Sequence, residues 1–439
     1  MALNWVWIGF FTVAFATAVA RWLLGEDGIF QALLAALFDG ARSGFEISLG
    51  LAGVMALWLG LMRVGERAGM VELLARAAGP LLRRLFPEVP QGHPAQGAMT
   101  MNISANLLGL DNAATPLGLT AMRELQTLNT RQPDTASNAQ IMFVVMNTAG
   151  LTLIPTSVIA IRQSIALKQG LGAGFNAADI FLPTLIVTFI SLLAGVLAVA
   201  VCQRLPLWRA RFLVPVAVAA GLLAAAVTAL ARLPAEQAAR IAGTTGAAVI
   251  LGVVMLFVLA GAVRRVNVYD AFIDGAKEGF GVAIQIVPYL IAILVAIGVF
   301  RAAGCMDFLL SAIGAAVAAL GWNTDFLPAL PVGLMKVLSG AGARGLMIDV
   351  MQVHGVDSFA GRLAAIVQGS TETTFYVLAV YFGSVGVKHT RHALACALFA
   401  DAAAAEAAEA DTLSDSVPAD ETCAEGHGFT VFADESSPN

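Results

Sequence analysis

Within the apolar body of this chain, side chains able to hydrogen-bond or carry a proton gather most notably in three places. Asn102 to Gly118 reads NISANLLGLDNAATPLG and sets Asn102, Asn106, Asp111 and Asn112 among glycine and proline helix breakers. Pro328 to Asp349 reads PALPVGLMKVLSGAGARGLMID and carries Lys336, Ser339, Arg344 and Asp349. Inside apolar runs lie Asn147-Thr148 and the segment Gln368-Gly-Ser-Thr-Glu-Thr-Thr374, which holds Ser370, Thr371 and Glu372. Amides and hydroxyls suit hydrogen bonding to a polar solute, Arg344 suits an anionic group, and Asp111 or Glu372 suits a coupling proton or sodium ion. The competing reading is structural: Asn and Asp cap helix ends, and Glu372 pairs with Lys336 or Arg344.

The surroundings decide what such residues must do. The chain has 439 residues, is 58% hydrophobic and only 13% charged, against roughly 25% charged in soluble proteins. That composition is expected of a polytopic membrane protein. Backbone rich in helix breakers is tolerated at membrane depth only where protein or a water-filled cavity satisfies its N–H and C=O groups. Cys202, Cys305, Cys396 and Cys423 are scattered without CxxC or zinc-like spacing, so no disulfide framework, metal site or other cofactor is expected. Neither HExxH nor GxSxG occurs, and nothing suggests an enzyme or a nucleic-acid partner.

Taken in order, residues 1–28 supply a first transmembrane helix. It lacks the basic n-region of a signal peptide and is expected to be retained. Ile47 to Met62 is a second span, followed by Arg63, Arg67, Arg76, Arg83 and Arg84 around an amphipathic interfacial helix at Val71 to Phe86. Four apolar runs, Asn138 to Ile161, Ile180 to Gln203, Phe212 to Ala231 and Ile241 to Val263, are each near the ~20 residues needed to cross a bilayer. Gly281 to Phe300 and Leu363 to Val387 complete the set, while Arg362 near a span end is expected to snorkel. From about Ala402 the composition predicts an acidic disordered tail.

Asp39-Gly-Ala-Arg-Ser-Gly-Phe45 matches Asp274-Gly-Ala-Lys-Glu-Gly-Phe280, and the same offset carries Ala68-Gly69 onto Ala303-Gly304 and Gly79 onto Gly314. Further on, Ser137 falls on Ser358, Asn147 on Gln368 and Thr152 on Thr373. Arginines 204, 209, 211, 264 and 265 mark cytoplasmic loops, which places the five-arginine segment inside and its repeat partner outside. The expected fold is an all-α polytopic membrane protein of two inverted-topology repeats, with about eight transmembrane helices, two re-entrant helical hairpins and interfacial helices. The divisions are residues 29–203 and 264–400 for the repeats, 204–263 for the linking helices and 401–439 for the tail.

NISANLLGLDNAATPLGLTAM at Asn102 to Met122 is similar to spore maturation A proteins. VYDAFIDGAKEGF at Val268 to Phe280 and QGSTETTFYVLAVYFGSVG at Gln368 to Gly386 are similar to spore maturation B proteins. The chain thus resembles a fusion of these two members of the nucleoside-recognition, or Gate, family. That family also includes concentrative nucleoside transporters, and the resemblance implies interfacial helices and two re-entrant hairpins. Together these readings lead to the expectation of a secondary transporter of a small polar or anionic solute, nucleoside-like or carboxylate. It would lie in the inner (plasma) membrane with a cytoplasmic C-terminus, as a monomer or homo-oligomer. The alternative is a non-transporting component of an envelope or spore maturation assembly.

Overall fold

Two long helices form the frame on which everything else hangs. The computed structural model describes residues 2–108, 111–150, 152, 155–171, 175–205, 217–218, 221, 225, 228, 235–321 and 323–416. Among them are sixteen α-helices, one short 3-10 turn at Leu327–Ala329 and no β-strand, only an isolated bridge between Thr135 and His389. The first eight helices are α1 Ala2–Leu23, α2 Ile29–Arg67, α3 Met70–Leu85, α4 Pro94–Leu107, α5 Asp111–Leu128, α6 Asn138–Thr148, α7 Thr156–Lys168 and α8 Phe181–Cys202. The second eight are α9 Ala235–Val263, α10 Val268–Ala302, α11 Cys305–Ala319, α12 Leu330–Leu338, α13 Gly340–His354, α14 Phe359–Ser370, α15 Thr374–Ser384 and α16 Ala393–Ser416.

Among the described residues, five helices are long and apolar enough to cross a membrane: Asn4–Leu23, Ile29–Arg67, Phe181–Cys202, Gly243–Val263 and Val268–Ala302. The chain is a multi-pass membrane protein. At 39 and 35 residues, α2 and α10 would extend roughly 58 and 52 Å, well beyond a hydrocarbon core of ~30 Å. They lie against each other in antiparallel fashion. A Cβ on Gly40 would sit 3.0 Å from Leu294 O, and one on Gly44 would sit 3.0 Å from Ile291 Cα. From the other helix, Gly275 faces the backbone of Leu59 and Gly60, and Gly279 that of Met55 and Ala56. These are the glycines of the repeated Asp-Gly-Ala-x-x-Gly-Phe segment, and they let the two backbones approach as small residues do in membrane helix pairs.

The turns that follow the long helices also correspond. Gly69 (φ 71°) begins α3 and Gly304 (φ 79°) begins α11, both in left-handed conformation that a Cβ would strain. Each shorter leading helix leans on the long helix of the other half. Arg21 at the end of α1 donates to Ala303 O at 3.0 Å, and Arg264 just after α9 lies against Gly69.

Three expectations differ from the observed fold. The run from Asn138 to Ile161 is two helices, α6 and α7, separated around Gly150 and Pro155. Leu363 to Val387 is likewise divided, into α14 and α15 with Thr371–Thr373 between them. In the first case Pro155 cannot donate a helical hydrogen bond; in the second, three hydroxyl and carboxyl side chains offer the backbone alternative partners. The tail does not become irregular at Ala402: α16 runs to Ser416 and buries Ala404, Ala408 and Thr412, because alanines at helical spacing make an apolar face. Residues 417–439 and most of the span expected at Phe212 to Ala231 lie outside the described residues.

Placing a leucine at Gly279 should lower the melting temperature of the purified protein by several degrees, since overpacking a tight contact costs roughly 1–3 kcal/mol. The same change at Gly281, whose Cβ position is open, should leave it within about a degree; differential scanning fluorimetry in detergent compares the two.

Candidate functional site

The two broken helices meet at their breaks. α6 starts under a reciprocal cap, with Ser137 Oγ accepting from Gln140 N at 3.3 Å and Gln140 Oε1 accepting from Ser137 N at 2.9 Å. It stops at Thr148, whose carbonyl no longer has a helical partner of its own. That carbonyl accepts from the backbone N–H of Glu372, in the other break, at 2.8 Å. Gly150 lies against the Glu372 side chain, where a Cβ would come to 3.0 Å from Cγ. One carbonyl of the first interruption and one amide of the second therefore satisfy each other.

Beside this crossing is a polar cavity of about 90 Å³, lined among others by Lys336, Arg344, Gln368, Thr371, Glu372 and Thr152. Lys336, 7% exposed, donates from Nζ to Gln368 O at 2.8 Å and so holds a carbonyl in the last turn of α14. The Gln368 amide donates to Gly340 O at 3.5 Å, while its Oε1 is buried with no hydrogen-bond partner. Helix α13 begins at this cavity: Gly340 and Arg344 line it, and Ser339 caps the helix by accepting from Gly342 N at 3.1 Å. Two cationic side chains and a helix N-terminus thus surround one carboxylate, a balance that favours an anionic group.

The asparagines of the first half form a separate cluster. Asn147 Oδ1 accepts from Asn106 Nδ2 at 2.9 Å and from Tyr381 Oη at 3.2 Å, and its own amide donates to Phe143 O at 2.8 Å. Asn102, fully buried, donates to Ala114 O at 2.8 Å and reaches Tyr381 Oη at 3.4 Å. The Tyr381 ring stacks on Phe143 at 5.9 Å. These bonds tie the hairpin of α4 and α5 to α6 and α15. Ser370 donates to Val367 O at 3.0 Å, and Asp349 pairs with Arg301 at 2.6 Å. The side chains of Asp111 and Asn112 lie outside what the structure describes. Of the residues singled out in the sequence, the structure gathers Arg344, Gln368, Thr371 and Glu372 at the cavity and gathers Asn102, Asn106 and Asn147 at Tyr381.

Two groups of residues escaped sequence reasoning. Tyr381 lies in an apolar run, and only its place inside a polar-studded motif hinted at a partner. Arg162 follows directly on an apolar run yet is fully buried, pairing with Asp179 at 2.6 Å and lying 5.2 Å from the centre of the Phe175 ring. Arg362, expected to snorkel, is only partly exposed and approaches the same Asp179 at 3.9 Å.

The nucleoside recognition family model matches this chain at residues 48–164 and again at 283–388, together just over half of it. The chain belongs to the nucleoside recognition, or Gate, family. The matched blocks run from within α2 to α7 and from within α10 to just past α15, so each contains part of one long helix, one hairpin and one broken helix. Spore maturation protein A of Bacillus subtilis (strain 168) is 36% identical over 189 residues, which is 43% of this chain and 89% of that protein. Spore maturation protein B of the same organism is 45% identical over 143 residues, 33% of this chain and 79% of that protein. Each is similar to part of the chain, as in a fusion of the two. No solved structure matches.

Removing the Tyr381 hydroxyl with Tyr381→Phe should destabilise the protein by about 0.6 kcal/mol, the usual size of one interhelical hydrogen bond in a membrane protein. Asn147→Leu, which strands both Asn106 and Tyr381, should cost about 1–3 kcal/mol. Unfolding by denaturing detergent at equilibrium measures both.

Proposed function

We propose that this protein is a secondary transporter, moving a small polar or anionic solute by alternating access between two inverted halves. The observation that carries the reading is the polar cavity at the crossing of two broken helices, bordered by the N-terminus of a hairpin helix. Transporters of inverted-repeat design bind solute and ion where discontinuous helices meet. Arg344, Lys336 and the first turn of α13 would hold the anionic group, with Gln368 and Thr371 as hydrogen-bonding partners and Glu372 or Asp111 in ion coupling. At about 90 Å³ the cavity is below the ~300 Å³ lower end of small-molecule sites. A solute of nucleoside size therefore requires the hairpin to move, which is what alternating access supplies. The protein is proposed not to be an enzyme.

Inversion of the halves is supported by the antiparallel α2–α10 pair with corresponding glycine contacts and by the matching left-handed turns at Gly69 and Gly304. In this arrangement α4–α5 and α12–α13 are re-entrant hairpins, the spans number about eight, and the C-terminus faces the cytoplasm of a cell whose inner membrane holds the protein. A non-transporting role in an assembly is favoured by one observation, the spore maturation name of both relatives.

Single cysteines replacing Arg76 and Asp307 should react with an impermeant maleimide from opposite sides of the membrane; labelling of both from one side would remove the inversion. In proteoliposomes offered a panel of nucleosides, nucleotides and carboxylates, Arg344→Gln should slow uptake of the transported solute at least about tenfold, as loss of a charge-assisted hydrogen bond predicts. If wild type takes up no solute of the panel above the level of empty liposomes, the transport reading falls and the assembly role stands; equal uptake by wild type, Arg344→Gln and Glu372→Gln would remove the roles given to these side chains.

A further inference from the structure

The polar cavity has a neighbour. A groove of about 430 Å³ runs between α12, α14 and α16, lined mainly by apolar side chains but also by Lys336, Thr371, Asp401, Glu406 and Glu409. Lys336 and Thr371 line both spaces and form the partition between them. On the groove side of that partition lies Asp401, in the helix that continues past the second matched block. Its Oδ2 accepts from Thr374 Oγ1 at 2.6 Å, and its Oδ1 is buried with no hydrogen-bond partner. Gln368 Oε1, on the cavity side, is also buried and without a partner, in a residue only 5% exposed.

We propose that Asp401 is a proton-binding site that couples proton arrival through the groove to anion binding in the polar cavity, with Lys336 as their shared counter-charge. The proton adds to Oδ1, converting the carboxylate to a neutral carboxyl group; the Thr374 hydrogen bond to Oδ2 is kept and no other bond changes. With Asp401 ionised, its charge offsets the ammonium of Lys336, which is near enough to act on it. With Asp401 protonated, its charge no longer offsets that of Lys336, and the cavity Lys336 also lines becomes more positive by that amount. Proton and anion then favour each other's binding, reciprocally and by the same factor.

The other groups facing Asp401 fit this role. Glu406 and Glu409 extend the same side of α16 along the groove, and Asp325 acts on Glu409 from before α12. They raise the local proton concentration on the way in. Helices α6 and α8 carry no charged side chain; from α8, Ser191 donates to Ala400 O at 3.2 Å. Helix α15 adds only tyrosines, Arg362 of α14 is engaged with Asp179, and Glu372 lies on the cavity side of the partition. The nearby ammonium also selects among monovalent cations. A proton neutralises the carboxylate at one oxygen, whereas a sodium ion would stand as a second full positive charge beside Lys336.

The inference deepens the transport reading, on which its anion half rests, while the proton half is tested without any solute. Full-length protein in phosphatidylcholine proteoliposomes on a solid-supported membrane is stepped from alkaline to acidic pH at fixed sodium. Wild type should give a transient charge displacement that Asp401→Asn reduces at least about tenfold and Asp401→Glu retains. Lys336→Gln should move the midpoint of the transient to higher pH by about one unit, having removed the cation that favours the carboxylate. A wild-type transient in folded Asp401→Asn, or an unmoved midpoint in Lys336→Gln, overturns the proposal, as does a sodium step at fixed pH that reproduces the displacement. Should Asp401→Asn not fold, the Lys336→Gln midpoint alone decides. Absence of uptake for every solute with the pH transient intact would remove the transport reading and leave the proton site standing.

Discussion

The hydrogen bond from Glu372 N to Thr148 O expresses the constraint on which this structure depends: backbone away from water must be satisfied by protein. A single helix break among apolar neighbours would leave several carbonyls and amides without partners. Two breaks brought together satisfy part of each other's demand, and side chains complete the rest. Lys336 on the Gln368 carbonyl and Ser339 at the start of α13 are such completions. The polar cavity is a consequence of this arrangement, because groups that serve broken backbone are the ones left facing a space no helix fills.

Much of this was legible in the residues. Glycines at Gly40, Gly44, Gly275 and Gly279 repeat in sequence because each lies against backbone of the partner helix, so the spacing carried geometric information. The polar runs around Asn102 and Lys336 pointed to helix interruptions, and the structure has a helix boundary in each. What apolar composition conceals is continuity. Asn138 to Ile161 and Leu363 to Val387 read as unbroken spans, since a break stabilised by a distant segment leaves little local trace beyond a proline or a few hydroxyls. The extent of α16 was hidden for the opposite reason: alanine and glutamate are at once good helix formers and common in disordered tails. Only the packing surface of α8 and α14 decides between them.

Charge shows the same division between local and distant information. Lys336 and Arg344 were visible as unusual cations in an apolar chain, yet their shared cavity with Glu372 requires α12, α13 and the second break to converge. Arg362 looked like a residue at a span end and Arg162 gave no signal; the position of Asp179, a neighbour of neither in sequence, makes them members of one partly buried ionic group. Long-range pairing of this kind depends on the whole fold and cannot be read from spacing.

The glycine contacts between α2 and α10 carry one more implication, for how the halves come together. The seam joins segments from the two halves of the chain, and where its glycines bring backbone onto backbone little side chain lies between to absorb misalignment. Two separate polypeptides would have to find this narrow fit by lateral diffusion in the bilayer. Joined through the segment that precedes α10, they meet as an intramolecular event at an effective concentration that is commonly millimolar for short tethers. Covalent union thus fixes equal stoichiometry of the two halves and makes assembly of the seam independent of how much protein the membrane contains.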